Sequence, residues 1–379
     1  VDGATFEVPK SSVVGVVGES GCGKSVTSLS VMQLVQAPQG QIVGGSIRFA
    51  SQDYKRGEDG KPIPIWEYET QGARAPRTEP VLDRKGAPVL DKKTGTPLVR
   101  PTGEDYVVSD AYVIRTEPAL DKKGQPVLDK DGTPLLRLVQ AKDGNGFPAF
   151  ETVEKVYDIA KMPTSAMQRI RGKEISMIFQ EPMTSLNPLF TIGNQLDEVV
   201  LLHTPGADKE LAKNRSIEML KLVGIAMPEN VYNCYPHELS GGMRQRVMIA
   251  MALACNPRLI IADEPTTALD VTIQAQILEL LKELKNKING SIMLITHDLG
   301  VIAGMADYVV VMYAGRIIEK GTVEDIFDRP MHPYTIGLQK SKPVINKDVD
   351  TLYSIHGQVP NPIDMPNYCY FKDRCAYCV

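Results

Sequence analysis

The order of apolar and polar positions predicts strands that are buried on both faces and separated by helices. Mostly apolar runs at residues 13–17, 175–179, 259–262 and 292–296 have the length and character of strands in a parallel sheet. Residues 271–287 carry their apolar side chains on one helical face, as expected of a helix that packs on that sheet. The pattern therefore predicts an α/β fold.

Other segments extend this prediction. Residues 24 to about 35 have the pattern of a helix, and apolar and charged residues alternate at helical spacing from 193 to about 222, which predicts a helical subdomain. Residues 308–313 and 316–319 predict a hairpin, and the alternating residues 4–9 predict an edge strand.

An internal repeat interrupts the pattern. Residues 77–100 (RTEPVLDRKGAPVLDKKTGTPLVR) are nearly restated by residues 115–137 (RTEPALDKKGQPVLDKDGTPLLR). Within each copy an apolar stretch is followed by Asp-x-Lys-Gly or a close variant, which is typical of a type I turn with a bulge and predicts β-hairpins in series. The segment is either a docking surface or a tolerated surface insertion, and the ease with which loops accept insertions favours the second.

These features divide the chain into three parts. Residues 1–50 and 159–329 are predicted to form one split α/β domain, with its helical subdomain at about 190–240. Residues 51–158 are predicted to be the β-hairpin repeat insertion, and residues 330–379 a C-terminal extension.

Composition limits the class of protein. The chain of 379 residues is 43% hydrophobic and 23% charged, as in soluble globular proteins, and no apolar run approaches the roughly 20 residues of a membrane span. The formal net charge of −4 gives no whole-protein argument for nucleic-acid binding, so no nucleic-acid partner is expected. Six cysteines do not form a disulfide pattern, because half of them stand singly.

A phosphate-binding loop lies between the first predicted strand and helix. Glycines at such a junction allow backbone N–H groups to surround a phosphate at the positive end of the helix. Within it, Lys24 is expected to reach the β- and γ-phosphates of a nucleotide and Ser25 to bind Mg²⁺. The candidate nucleotide-binding residues of the loop are Gly18, Glu19, Ser20, Gly21, Cys22, Gly23, Lys24 and Ser25.

Together with later motifs, this loop resembles the ATP-binding subunits of ABC transporters. The matching motifs occur in the family's order: the loop, Gln180 after a strand, the signature Leu-Ser-Gly-Gly-Met-Arg-Gln-Arg at 239–246, the Asp263-Glu264 pair, Ala268-Leu269-Asp270 and His297. The resemblance implies a P-loop NTPase fold, with a RecA-like mixed sheet and a helical subdomain, and ATP hydrolysis. Residues 179–188 and 332–335 resemble the oligopeptide/dipeptide importers, and nickel importers share much of this pattern.

Roles for the acidic and neighbouring residues follow from the chemistry of phosphoryl transfer, which needs charge neutralisation and one base. Asp263 suits the Mg²⁺ shell, and Glu264 is placed to accept a proton from the attacking water. Gln180 is expected to orient that water or to touch Mg²⁺, and His297 to bond the γ-phosphate.

The resemblance also implies partners. Ser240, Gly241 and Gly242 begin a predicted helix. In the family, a signature of this kind faces the γ-phosphate that the opposite subunit holds. The resemblance also places Asp270 among the residues of the nucleotide site. The expected partners are two transmembrane permease subunits, a paralogous ATP-binding subunit or a second copy, and an extracytoplasmic solute-binding protein. The expected location is peripheral, on the cytoplasmic face of the membrane. A nickel importer ATPase and a soluble ABC ATPase acting on nucleic acid or ribosomes are the alternatives.

The two ends of the sequence carry further expectations. No aromatic residue stands where the family stacks adenine, so weak nucleotide binding is expected of this sequence. Near the other end, Cys369, Cys375 and Cys378 resemble the family's cysteine segment, in which some members are thought to hold an iron–sulfur cluster. Three thiolates are one short of the usual four, so a [4Fe–4S] cluster or zinc site in the intact protein and free thiols both stay open.

Overall fold

The elements of the fold are taken from a computed structural model. It describes residues 1–35, 40–70, 75–83, 86–91, 95–106, 112–121, 124–143, 146–267, 270–288, 290–341, 353–360, 365 and 367–378. The strands are β1 (Val13–Val17), β2 (Arg48–Tyr54), β3 (Tyr68–Thr70), β4 (Ala75–Pro80), β5 (Leu98–Tyr106), β6 (Tyr112–Ile114), β7 (Thr116–Pro118), β8 (Leu136–Leu138), β9 (Thr152–Asp158), β10 (Ile175–Ile178), β11 (Leu259–Asp263), β12 (Ser291–Thr296), β13 (Tyr308–Tyr313) and β14 (Arg316–Thr322). The helices are α1 (Lys24–Val31), α2 (Thr164–Met167), α3 (Pro182–Ser185), α4 (Ile192–His203), α5 (Lys209–Leu222), α6 (Pro228–Asn233), α7 (Gly241–Leu253), α8 (Val271–Ile288), α9 (Leu299–Met305), α10 (Val323–Asp328) and α11 (Pro333–Lys340).

The larger of two compact units contains an α/β sheet. It comprises Val1–Ser51, Val156–His203 and Lys209–Val379. Within the described part of the chain, the strand order of this sheet is β10–β11–β12–β1–β13–β14. Neighbouring strands are parallel except for the final antiparallel pair of β13 and β14. The central strands are buried along their whole length, which confirms the α/β prediction.

The parallel arrangement brings the carboxyl ends of β1, β10, β11 and β12 to one edge of the sheet. The register pairs Val17 with Thr296 and Asp263 with Ile295, so these strands end at similar levels. Ligands bind preferentially at this edge of open α/β sheets. The residues that come after these strands are the phosphate loop, Gln180, Glu264 and His297.

Two element predictions were wrong. Helix α1 ends at Val31 rather than near residue 35, because Gln33 has a left-handed φ of 49° and the Leu34 N–H turns back to the Leu29 carbonyl at 2.8 Å. The Arg171 guanidinium binds the carbonyls of Met32 and Gln33 just beyond the helix, at 2.8 and 2.9 Å. Residues 4–9 do not form an edge strand. The carbonyls of Thr5 and Pro9 instead accept hydrogen bonds from the side chains of Lys320 and Ser12.

The helical part of the first unit agrees with the predicted pattern. Helices α4 and α5 replace the single periodic stretch at 193–222, and residues 204–208 between them belong to the second unit. Arg215, which is 4% exposed, donates to the Ala254 carbonyl at 3.1 Å and thereby joins α5 to the end of α7. This contact fixes the helix that begins with the signature segment.

The second unit is built from short hairpins, as the repeat predicts. It comprises Gln52–Lys155 and Thr204–Asp208. In one turn, the Asp121 carboxylate accepts the Gln125 N–H at 2.9 Å, and Gly124 has a left-handed φ of 80°. The flanking residues form a bridge between Leu120 and Pro126, and equivalent bridges join Leu82 to Pro88, Leu128 to Pro134 and Lys142 to Pro148.

No helix in the described ranges combines the length and the apolar character that crossing a membrane requires.

The packing of α9 on β1 generates a stability prediction. A Cβ at Gly15 would lie 2.5 Å from Cδ1 of Ile302 and 3.2 Å from Cβ of Ala306. Gly15→Val should therefore lower the free energy of unfolding by about 1–3 kcal/mol through overpacking. Urea unfolding followed by circular dichroism measures this change.

Gly304→Ala on the same helix is the matched control. No atom lies within 4 Å of a Cβ at Gly304, so this variant should be neutral or more stable by up to about 1 kcal/mol. Equal unfolding midpoints for the two variants would contradict the close packing of α9 on β1.

Candidate active site

The phosphate loop joins the end of β1 to the start of α1, as predicted. Gly21 and Gly23 have left-handed φ angles of 80° and 100°, which other residues rarely adopt. A Cβ at Gly18 would overlap the backbone carbonyl oxygen of Met312. The glycines are thus required by the backbone path and by the close approach of β13.

Lys24 lies inside this loop. Its side chain is 4% exposed, and its ammonium donates to the carbonyls of Gly18 at 2.7 Å and Glu19 at 3.1 Å. The loop therefore holds a positive charge among backbone groups at the N-terminus of α1, where an anion is favoured.

Asp263 ends β11 and faces the first turn of α1. Its two carboxylate oxygens accept hydrogen bonds from Ser25 at 3.1 Å and from Ser28 at 3.2 Å. Burial raises the pKa of Asp263, and the two hydroxyl groups oppose that shift. A buried carboxylate beside a hydroxyl matches the oxygen ligands that Mg²⁺ takes, so these residues fit the predicted metal.

Glu264 is held by three neighbours. Its carboxylate accepts from Gln180 at 3.2 Å and from Thr267 at 2.9 Å, and lies 3.4 Å from Nδ1 of His297. Its backbone has a φ of 46°, a conformation that costs energy for a residue with a side chain. Gln180, Glu264 and His297, which were predicted from separate motifs, are therefore brought together.

Sequence reasoning missed two residues of this group, Ser28 and Thr267. Ser28 lies three positions after Ser25, and residues with that spacing share one face of a helix. Thr267 lies three positions after Glu264, in the turn that follows β11. Its N–H donates to the Glu264 carbonyl at 3.2 Å. The helical spacing between Ser25 and Ser28 could have indicated Ser28. No sequence pattern indicated that Thr267 would contact Glu264.

The signature segment begins α7. The helix begins where the sequence predicts, and Ser240 caps it because its hydroxyl accepts the Met243 N–H at 3.3 Å. A Cβ at Gly242 would lie 3.2 Å from Ile273 on α8, whereas Gly241 has open space around it. Asp270 caps α8 through the Ile273 N–H at 2.9 Å. Ala268 and Leu269, which precede Asp270, lie outside the described residues.

The terminal cysteines do not support a metal site. Cys369 and Cys378 are exposed, Cys375 is partly exposed, and none of these three forms a disulfide. Among the residues that the structure describes, no three His, Cys, Asp or Glu side chains are grouped so that they can hold a metal ion. The iron–sulfur or zinc site that the sequence left open beside free thiols is thus not formed by the described residues.

Comparison with known proteins identifies the family. A family model described as "ABC transporter" matches residues 1–73 and 151–267. A second model, described as "Oligopeptide/dipeptide transporter, C-terminal region", matches residues 318–379.

Curated relatives agree with these matches. Oligopeptide transport ATP-binding protein AppD of Bacillus subtilis is 41% identical over 375 residues, which cover 99% of this chain and 82% of AppD. OppD of the same organism is 57% identical over 58% of this chain and 62% of OppD. Dipeptide transport ATP-binding protein DppD of Haemophilus influenzae is 52% identical over 58% of this chain and 66% of DppD. The chain is therefore an ATPase that belongs to the ABC transporter ATP-binding proteins, in their oligopeptide/dipeptide branch.

Proposed function

We propose that this protein hydrolyses ATP to power the import of oligopeptides or dipeptides. The observation that carries the peptide assignment is the match of residues 318–379 to a region described for oligopeptide/dipeptide transporters. Relatives named for oligopeptide and dipeptide transport support it, and they favour it over nickel import and over action on nucleic acid or ribosomes.

The nucleotide is proposed to bind through the phosphate loop. The backbone N–H groups of residues 18–25 and the Lys24 ammonium offer positive charge to the β- and γ-phosphates. Lys24 is already close to the loop carbonyls of Gly18 and Glu19, so little side-chain freedom is lost when a phosphate arrives.

Ser25, Asp263 and Gln180 are the residues proposed to hold Mg²⁺. The hydrogen bond between Ser25 and Asp263 already brings two of these oxygen donors together. When bound, Mg²⁺ would neutralise charge that develops on the phosphate oxygens.

Glu264 is proposed as the general base for the attacking water. Its contacts with Gln180 and Thr267 fix the carboxylate, and the left-handed backbone directs it from the end of β11. His297 is proposed to bond the γ-phosphate, and its side chain is 60% exposed beside Glu264, which leaves it accessible to a nucleotide. General-base assistance is typically worth on the order of 10²–10⁴ in rate.

The signature residues Ser240, Gly241 and Gly242 are proposed to contact ATP held by an opposing subunit. Their support is the capped N-terminus of α7, whose first N–H groups suit an anion, and the open space around Gly241. Asp270 stays a proposed nucleotide-site residue on resemblance alone. The opposing subunit is proposed to be a paralogue or a second copy, working with two transmembrane permeases and a solute-binding protein at the cytoplasmic face of the membrane.

Co-purification tests this assignment. We expect gentle solubilisation of membranes from the source organism to recover the tagged chain with two polytopic membrane proteins and a second ATP-binding subunit. Deleting its gene should abolish uptake of labelled oligopeptides or dipeptides. Recovery with ribosomes or DNA, or unchanged peptide uptake, would contradict the transport assignment.

Lys24→Ala tests the phosphate loop. Loss of the charged partner should weaken ATP binding by about 30-fold or more, since truncating one side of a close charge contact typically costs about 2–5 kcal/mol. Titration calorimetry measures the affinity, with exposed Lys287→Ala on α8 as the control. Equal affinities of the two variants would rule out the assigned role of Lys24.

Glu264→Gln tests the general base. The amide keeps the shape of the side chain but cannot accept the proton, so the hydrolysis rate should fall by about 10²–10⁴ while ATP still binds and stabilises a dimer. Single-turnover hydrolysis and size-exclusion chromatography with ATP measure the two effects. Glu279→Gln, at an exposed position on α8, should hydrolyse normally; a Glu264→Gln variant that does so as well would exclude Glu264 as the base.

Ser28→Ala tests the electrostatics of Asp263. The protonated carboxyl lacks the charge that Mg²⁺ needs, so Mg²⁺-dependent ATP binding should be present above the pKa of Asp263 and lost as the pH falls through it. The Ser28 hydroxyl helps to lower that pKa, so Ser28→Ala should shift the acid limb of binding to higher pH.

Titrations with and without EDTA across pH measure the shift. Ser30→Ala, whose hydroxyl donates to the Val26 carbonyl instead, should leave the acid limb in place. If Mg²⁺-dependent ATP binding is lost at the same pH in Ser28→Ala and in the unaltered protein, the assigned hydrogen bond between Ser28 and Asp263 is contradicted.

A further inference from the structure

The C-terminal extension reaches the phosphate loop through Arg374. Its guanidinium nitrogens lie 3.1 and 3.3 Å from the two carboxylate oxygens of Glu19, the second residue of the loop. The Arg374 side chain is 7% exposed and that of Glu19 is 28% exposed. This two-point contact between a cation and a carboxylate is the strong form of an ion pair.

An aromatic cluster anchors the extension at this place. Phe371 is 3% exposed and packs edge-on against Tyr313 of β13, with ring centroids 5.2 Å apart, and against Tyr334 of α11 at 5.6 Å. Tyr313 and Tyr334 are fully buried and lie 4.8 Å apart. Arg374 is therefore carried on a packed support beside the loop.

Glu19 uses each of its polar groups in contacts that meet here. Its N–H donates to the Tyr334 hydroxyl at 2.8 Å, its carbonyl accepts from Lys24 at 3.1 Å, and its carboxylate pairs with Arg374. Burial raises the pKa of Tyr334, so the phenol stays neutral. A chain of contacts thus runs from Arg374 through Glu19 to Lys24.

The charge of Glu19 gives this contact a consequence for binding. A carboxylate in a loop that receives a triphosphate repels the ligand unless a cation neutralises it. Arg374 supplies that cation. Without it, the Glu19 carboxylate would face the phosphates without its paired cation, and the loop backbone would be less constrained.

We propose that Arg374 is a positioning residue of the nucleotide site, which acts through Glu19 by neutralising its charge and fixing the loop for ATP. The proposal rests on the proposed nucleotide site and makes ATP affinity depend on the C-terminal extension. Arg374 also donates to the carbonyls of Ile355 and His356, so a purely structural role must be separated from this one.

The test compares ATP affinities of the full chain by titration calorimetry. Arg374→Ala should raise the dissociation constant for ATP about tenfold or more. Arg374→Lys keeps the charge but cannot make the two-point contact of a guanidinium, so its dissociation constant should lie between those of Arg374→Ala and the unaltered protein. Lys372→Ala is the matched control, since this exposed cation lies over the Tyr368 ring, 5.2 Å from its centroid, and should leave the affinity unchanged.

Two readouts separate charge neutralisation from folding. Adding Glu19→Gln to Arg374→Ala should recover much of the lost affinity, because the repelling charge is gone. Raising the salt concentration should narrow the gap between Arg374→Ala and the unaltered protein. Loss of packing alone would give neither effect.

Definite outcomes overturn the proposal. One is an ATP affinity of Arg374→Ala within about twofold of that of Lys372→Ala, because loss of the contact between Arg374 and Glu19 is expected to cost about tenfold. Another is a double variant as weak as Arg374→Ala at every salt concentration. If the folded, unaltered chain binds no ATP, the proposed function fails together with the role of Arg374. If the unaltered chain binds ATP and the Lys24→Ala variant does not, the nucleotide site stands and the comparison tests the role of Arg374 alone. Should Arg374→Ala fail to fold, Arg374→Lys at normal affinity overturns the proposal and reduced affinity supports it.

Discussion

The carboxylate of Asp263 is the contact on which the site depends, because it joins the helix after the phosphate loop to the strand that supplies the acidic pair. Ser25 and Ser28 reach it from one face of α1, while β11 delivers it from the centre of a buried parallel sheet. Burial of a carboxylate is unfavourable without such donors. The two hydroxyl groups therefore fix the distance between loop and sheet and also keep a charge available to a cation.

Glu264 is the second of two consecutive acidic residues, and its backbone decides where the second carboxylate lies. Successive strand residues point to opposite faces, so a regular continuation of β11 would separate the two carboxylates. The left-handed backbone at Glu264 departs from that regular continuation, and its N–H is paired with the Ile295 carbonyl of β12 at 2.8 Å. The hydrogen bond to β12 stabilises the strained backbone, and hydrogen bonds from Gln180 and Thr267 fix the carboxylate. Rigid strands thus support a conformation that an isolated loop would lose.

Local patterns predicted most of the fold and much of the candidate site. Apolar runs correctly predicted β1 and β11, and the Asp-x-x-Gly turns correctly predicted the hairpins of the second unit. The end of α1 was not predictable, because the left-handed residue there is Gln33 rather than a glycine, and Arg171, which binds the carbonyls just beyond the helix, is remote in sequence. Distance in sequence also applies to residues 4–9, where the Thr5 carbonyl accepts a hydrogen bond from the side chain of Lys320. Patterns thus predicted elements, but not the distant side chains that end them.

Glu19 and Arg374 show the same limit in the chemistry of the site. Within the motif, Glu19 is one polar residue of a glycine-rich loop, and nothing in the loop indicates which group compensates its charge. The compensating cation lies in the C-terminal extension, where the packing of Phe371 on Tyr313 and Tyr334 sets its position. Since Tyr334 also binds the Glu19 N–H, the same cluster controls both the charge and the backbone of this residue. A motif that is self-contained in the sequence is therefore completed by the far end of the chain, and its affinity for phosphate becomes a property of the whole α/β unit.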